Sequence, residues 1–141
     1  IEWTERHVDD GTVDWLGDLP KERETVFGDV RVKVVHGAPG APDRYTYPRD
    51  FSRSLLGDED VLVMGHTHVQ GKEVYDEGVV VNPGSVGQPR DGDPRAGYAL
   101  LNEKTGEVEL RRVEYTVAEV QDEIRRAGLP ESLAERLEEG R

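Results

Sequence analysis

Four apolar residues in a row, Val61-Leu62-Val63-Met64, run straight into Gly65-His66-Thr67-His68, and this junction constrains the chain more than any other stretch. A short unbroken apolar run is the pattern of a central strand buried on both faces. Two imidazoles then follow at i and i+2. In extended backbone that spacing sends both rings to one side, while Thr67 points away and is free to hydrogen-bond backbone and hold the turn. A second stretch ends the same way. Val30-Arg31-Val32-Lys33-Val34-Val35-His36 alternates early, turns apolar late and stops at Gly37, which predicts a strand with Val30, Val32, Val34 and His36 on one face. Strand ends that feed loops are where open α/β sheets hold their ligands. His36, His66 and His68 are therefore candidates for one shared site.

The rest of the chain reads as α/β without repeat, low-complexity tract or linker. Residues 1–8 look like the tail of a helix, and a second short helix through Trp15 and Leu16 is expected, capped by Asp10 or Thr12 and stopped by Pro20. A strand or hairpin edge is expected over 24–29, a loop over 38–48, and a helix over 49–56 with Phe51, Leu55 and Ser52 inward. Strands 73–75 and 79–81 form a hairpin around Asp76-Glu77-Gly78. Residues 82–96, with Pro83, Pro89 and Pro94 among glycines, make a loop long enough to suggest function. Strands over 97–101 and 107–115 pair across Lys104-Thr105-Gly106. Two helices follow, with Val117, Val120 and Ile124, then Leu129, Leu133 and Leu137, at helical spacing, broken at Gly128-Leu129-Pro130.

Composition narrows the chemistry. Cysteine is absent, so disulfides and thiolate ligands are excluded, and a metal must be held by His, Asp, Glu, Asn or water. The formal charge is −12, and 14 of the 18 basic residues are arginine. Acidic excess with little lysine is the look of a haloarchaeal cytosolic protein, in which high salt screens the self-repulsion. Nucleic-acid binders usually carry a basic stripe. Here Arg111-Arg112 and Arg125-Arg126 sit among carboxylates, which argues against long duplex partners and leaves a small phosphorylated ligand, drawn in by a bound cation. No apolar run reaches 18 residues and no charged-then-apolar leader opens the chain, so no membrane span is expected and the expected location is cytoplasmic.

Three neutral imidazoles with no thiolate suit borderline ions such as Zn, Mn, Fe, Co or Ni. His7 sits among Glu5, Arg6 and Asp9 and reads as an ordinary surface residue. Here three motifs, in order and spacing, resemble one family. Val34-Val35-His36-Gly37-Ala38-Pro39 is similar to the strand–His–Gly–Ser/Ala–Pro motif of the calcineurin-like metallophosphoesterases. Val63-Met64-Gly65-His66-Thr67-His68 matches their Gly-His-Thr/Ser-His motif. The stretch from Val81 through Asn82-Pro83-Gly84-Ser85-Val86-Gly87 to Arg90 resembles the Asn-Pro-Gly-Ser-Val-Gly segment of the small prokaryotic branch. Trp15 to Pro20 resembles the helix-to-Leu-Pro segment before their His-Gly strand, and the likeness runs to about residue 115.

The resemblance implies a four-layer α-β-β-α sandwich, with residues 1–116 as the C-terminal part of the metallophosphoesterase domain and 117–141 as a helical extension of it. It implies two divalent metals bridged by a carboxylate and a hydroxide that attacks phosphomono- or phosphodiesters, with His36 and His66 on one metal and His68 on the other. Homodimers are common in the branch. Amides near Gly84 and Ser85, with Arg90, are candidates for holding a phosphate, although Pro83, Gly84 and Gly87 equally suit a tight structural crossing. Asp91, Asp93 and Arg95 read as surface residues.

The family's Asp-x-His, Gly-Asp-x-x-Asp and Gly-Asn-His-Asp/Glu motifs do not occur in these residues. Gly57-Asp58-Glu59-Asp60 is in the wrong place for the second and reads as a solvated turn. The bridging Asp, a metal-binding Asn and the general-acid His are thus without counterpart. With Ile1 in first place, this leads us to expect an N-terminally truncated piece whose first-half strands are missing. The alternative is a non-catalytic module of the same fold, like the sorting scaffold of the retromer coat, although such members commonly lose motif residues and all three histidines are intact here. An in-frame Asp-x-His and Gly-Asn-His-Asp upstream of Ile1 would decide for the enzyme. The 141-residue chain alone is expected to hydrolyse a nitrophenyl phosphodiester slowly or not at all, and robust metal-dependent turnover would overturn that expectation.

Overall fold

The computed structural model describes residues 2–141, with side chains from Trp3 onward; Ile1, assigned above to a first helix, lies outside the described residues. The centre of the fold is three short parallel strands rich in valine: β2 (Val30–Val35), β3 (Val61–Val63) and β5 (Gly78–Asn82), after the antiparallel β1 (Glu22–Phe27) and beside β4 (Gly71–Tyr75). They form one sheet in the order β1-β2-β3-β5-β4, with antiparallel pairs only at its two edges. β-branched residues suit a pleated surface packed on both sides. Register aligns Val32 with Val61 and Val61 with Val79, so valine rows cross the sheet.

One sheet face packs on a two-stranded ribbon, β6 (Ala96–Leu101) and β7 (Val108–Val113), enclosing Val30, Val32, Val61, Val79, Val81 and Val108. The other face buries Val35, Leu62, Met64 and Val80 under Phe51, Leu55 and Leu56. The ribbon and five-stranded sheet are the two β layers of the expected sandwich. Leu62 is fully buried, as the unbroken apolar run predicted, and so is Val80.

Several elements differ from expectation. Residues 49–56 are two 3-10 turns, Pro48–Asp50 and Arg53–Leu55, separated by extended Phe51 and Ser52. Eight residues are marginal for an isolated helix, the two serines bond each other through their hydroxyls at 2.8 Å, and Phe51 gains more by entering the core than by continuing a helix. In β2, Val35 rather than Val34 is buried near the strand's end, and Val34 is 43% exposed. After the short α1 (Glu2–Glu5), the cap of α2 (Asp10–Gly17) is Asp9, whose carboxylate accepts from the Thr12 amide at 3.0 Å. Residues 57–60 are more than a solvated turn: Glu59 is buried, and Asp60 accepts from the Arg31 amide at 2.7 Å and guanidinium at 2.9 Å, locking the start of β2.

The terminal helices α3 (Val117–Arg126) and α4 (Glu131–Glu139) pack on each other, joined by the buried Gln121 side chain donating to the Ala134 carbonyl at 3.0 Å. At the end of α4, Gly140 adopts φ 63° and lies so close to Asp93 that a Cβ would meet its backbone nitrogen at 2.6 Å. Among the described residues no helix is long and apolar enough to cross a membrane. Leu62→Ala should lower unfolding stability by about 2–5 kcal/mol in a urea titration, whereas Val34→Ala should stay within about 1 kcal/mol.

Candidate metal centre

The parallel arrangement carries the C-terminal ends of β2, β3 and β5 to one edge of the sheet. His36 follows β2, Gly65 through His68 follow β3, and Asn82 ends β5. The Gly65 amide donates to the His36 carbonyl at 2.9 Å, stitching the first two ends together. Gly37 is required by packing: a Cβ there would lie 2.4 Å from the Pro42 carbonyl oxygen and 2.6 Å from that of Arg44. The His36 and His66 rings meet at a centroid distance of 4.5 Å. His66 Nε2 is buried and has no hydrogen-bond partner. A buried polar atom without a partner is costly unless something else satisfies it.

The Gly-His-Thr-His segment is not extended, contrary to the i, i+2 expectation. His66 has φ 66° and His68 φ 59°, both left-handed, and no other non-glycine residue among those described has positive φ. Such backbone costs roughly 1–3 kcal/mol per residue and persists only where surroundings over-determine it. They do so here. Thr67 is buried, as expected of the residue that holds the turn, and its hydroxyl accepts from the Val69 amide at 3.3 Å and the Asn82 side chain at 3.0 Å. Asn82, wholly buried, also donates to the Gly65 carbonyl at 2.8 Å and accepts from the Gly84 amide at 2.9 Å. His68 Nδ1 lies 2.7 Å from the Gln88 carbonyl. A carbonyl only accepts, so Nδ1 carries the proton and the Nε2 lone pair is available to a metal.

The loop over 83–95 braces this segment. The Arg90 amide donates to the His68 carbonyl at 3.0 Å. Asp91 Oδ2 accepts from the Gln70 amide at 3.0 Å and pairs with Arg112 at 2.5 Å, with both side chains largely buried. Asp91 is thus not the surface residue expected above, and its Oδ1 has no hydrogen-bond partner. Burial pushes the Asp91 carboxyl up, but the Arg112 guanidinium and the Gln70 amide outweigh it and hold it below the usual carboxylate range. The Arg95 side chain and amide hold the Asp93 carboxyl far lower still. Gln70 Nε2 donates to the carbonyls of Pro83, Tyr98 and Arg111 at 3.0, 3.3 and 3.0 Å, tying the loop to the ribbon.

The candidate phosphate-holding residues are engaged within the loop. The Gly84 amide is occupied by Asn82, Ser85 Oγ accepts from the Gly87 and Gln88 amides at 3.3 and 2.9 Å, and exposed Arg90 donates to the Gln88 side chain at 2.8 Å. His7 is exposed, stacked on Trp3 at 4.1 Å. Among the described residues no three His, Cys, Asp or Glu side chains stand close enough to hold a metal ion together. His36 and His66 do form a close imidazole pair, and both His66 Nε2 and His68 Nε2 fit the chemistry of metal donors. A cavity of about 490 Å³ between β1–β2 and residues 57–59 is lined by none of the three histidines. Asn82, Gln70, Asp91 and Arg112 were missed as site-shaping residues. The one sequence signal was Asn82 at a strand end before Pro83-Gly84; Gln70 and Arg112 act through contacts distant in sequence.

Comparison with known proteins gives a consistent result. The family model of the calcineurin-like phosphoesterase superfamily domain matches residues 7–106. An uncharacterized protein of Methanocaldococcus jannaschii is 33% identical over 158 residues, spanning 100% of this chain and 65% of that protein. The probable metallophosphoesterase YsnB of Bacillus subtilis is 28% identical over 112 residues, spanning 79% of this chain and 65% of that protein. A metallophosphoesterase from Sphaerobacter thermophilus, known by crystal structure, superposes with a TM-score of 0.85 at 34% identity over 99% of this chain and 65% of its own. The chain therefore spans just under two thirds of these relatives.

The Asp91–Arg112 pair makes a pH-dependent prediction. A carboxyl with a lowered folded pKa contributes stability that is complete above its ordinary value near 3.9 and is lost as pH falls through the folded value. Arg112→Gln strands a buried carboxylate and should cost about 3 kcal/mol at pH 7. Without Arg112, burial holds the Asp91 carboxyl above its ordinary value, so the deficit relative to wild type should begin to shrink as pH falls toward that value and be smallest once pH is below the folded wild-type value. Chemical denaturation across pH 3–7 would read both, and a pH-independent deficit would contradict this account.

Proposed function

The chain belongs to the calcineurin-like phosphoesterase superfamily, and on that premise we propose that it contributes His36, His66 and His68 to the metal centre of an enzyme that hydrolyses phosphomono- or phosphodiesters. The observation that carries this reading is the His36–His66 ring pair at 4.5 Å, with a partnerless His66 Nε2, at the sheet edge where the strained His68 also lies. Divalent ions of the Mn, Zn, Fe, Co or Ni group, two in the reading favoured here, would supply activation of water and neutralisation of phosphate charge when bound. The chain's own residues hold the imidazoles ready. Asn82 and Thr67 set the turn, the Gln88 carbonyl fixes the His68 tautomer, and Gly37 lets the strand end approach the 38–44 loop closely. Gly84, Ser85 and Arg90 serve first as loop architecture, and exposed Arg90 remains the one candidate among them for meeting a phosphate.

The acidic surface supports a setting in a high-salt archaeal cytosol, where screening relieves the −12 charge. A small phosphorylated substrate, rather than nucleic acid, is consistent with that charge.

Calorimetric titration of the chain with Mn²⁺ and Zn²⁺ tests the assignment. Wild type should bind, and His36→Ala, His66→Ala and His68→Ala should each weaken binding by roughly tenfold or more while His7→Ala leaves it unchanged. Equal affinity in all four variants would sink the proposal.

A further inference from the structure

The helical pair α3–α4 supplies none of the histidines, and it lies beyond the residues 7–106 that the family model matches. Its last turn nevertheless ends against the loop that braces His68. Along α4 the buried residues are Ala134, Leu137 and then Gly140, a line at helical spacing that leads to residues 92–93. Gly140 closes the helix as a left-handed glycine does: at φ 63°, its amide donates to the Leu137 carbonyl at 3.4 Å, and the Arg141 amide donates to that of Arg136 at 3.0 Å. That closure requires the φ and no neighbour. Here the space beside Gly140 is taken. A Cβ there would lie 2.6, 2.8 and 2.9 Å from the backbone nitrogen, carbonyl carbon and oxygen of Asp93, so backbone is packed on backbone. The Gly140 carbonyl also accepts from the Gly92 amide at 3.1 Å.

From Gly92 the grip continues along the chain to the histidine. Arg112 donates to the Asp93 carbonyl at 3.4 Å and pairs with Asp91 at 2.5 Å. The Arg90 amide donates to the His68 carbonyl at 3.0 Å, and the Gln88 carbonyl accepts from His68 Nδ1 at 2.7 Å. Arg112 holds this loop from the ribbon, and the end of α4 holds it from the helical pair. A neutral imidazole offers its Nε2 lone pair only while its proton sits on Nδ1, and the acceptor at Nδ1 decides that. We propose that Gly140 is a positioning residue of the metal centre: by seating α4 on residues 92–93 it keeps the Gln88 carbonyl on His68, and so keeps the His68 Nε2 lone pair free for a metal. The metal half of this rests on the phosphoesterase reading above; the hold on His68 stands without it.

NMR of the metal-free chain tests the hold on His68, at about pH 8, above the ordinary imidazole range. Gly140→Ala inserts a Cβ where there is no room, and a chain ending at Glu139 removes the contact without inserting anything. In both, the amide hydrogens of Gly92 and Arg90 should exchange about tenfold faster. The ring-nitrogen shifts of His68 should move from the Nδ1–H toward the Nε2–H form. Val30→Ala, which opens the core at the far end of β2, should lower the melting temperature and leave His68 as in wild type. Zn²⁺ affinity, read by calorimetry, should fall about tenfold in the chain ending at Glu139. A wild type that binds no Zn²⁺ while His68 responds as above would keep the positioning role and remove the metal reading. Zn²⁺ binding lost in His68→Ala yet unchanged in the chain ending at Glu139 would keep the metal reading and overturn the positioning role. So would a His68 tautomer unmoved in that chain, or moved as far by Val30→Ala. If Gly140→Ala fails to fold, the shorter chain decides; if that chain fails to fold as well, the end of α4 is a folding element and the proposal is overturned.

Discussion

One buried side-chain amide holds the candidate site together. Asn82 ends β5 and reaches the Gly65 carbonyl, the Thr67 hydroxyl and the Gly84 amide. These are a strand exit, a turn and a loop entry, and each would otherwise leave polar groups buried without partners. In a low-dielectric interior a fully satisfied network of this kind is rigid, and a partly satisfied one is expensive. No apolar residue of similar volume could replace it, since the acceptors and donor around it would be orphaned. The sheet supplies the frame: parallel register delivers three strand ends to one edge, and Asn82 converts proximity into a fixed arrangement.

That rigidity explains how two histidines tolerate left-handed backbone. Without the amide network, His66 and His68 would relax toward ordinary φ values and their rings would swing away from the strand edge. The Gln88 carbonyl and Arg90 amide bind His68 from the opposite side, at its ring and at its backbone. The segment is held from both flanks.

Much of this was legible in the sequence for identifiable reasons. The run ending at Met64 announced a buried strand, because a short apolar stretch with no polar break has no face to offer solvent; the early alternation of Val30 and Val32 with Arg31 and Lys33 announced another, and the β4–β5 hairpin followed from Asp76-Glu77-Gly78. His36, His66 and His68 were expected to share a site; the rings of His36 and His66 meet, while among the described residues no third ligand-type side chain stands with them. What escaped was non-local. Val34 and Val35 cannot be told apart by alternation once both are apolar, and only the opposing cluster of Phe51, Leu62 and Met64 makes Val35 the buried one. Residues 49–56 were misjudged because Phe51 entering the core outweighs local helical preference. Asp91 looked exposed because its partner, Arg112, lies 21 positions away on the ribbon.

The Gln70 side chain has a mechanical consequence. Its single amide nitrogen contacts carbonyls from the 83–95 loop and from both strands of the ribbon. A Cβ on Gly97 would lie 3.2 Å from that nitrogen, and one on Gly84 would lie 3.2 Å from the Gln70 Cβ, so the side chain has no slack. Loop and ribbon are therefore tied through this one side chain, which links carbonyls of all three segments. A fluctuation that frees the loop beside His68 must first give up the Gln70 hydrogen bonds to both ribbon strands. The strand ends that carry the histidines thus share one anchor with the ribbon that covers the valine face of the sheet.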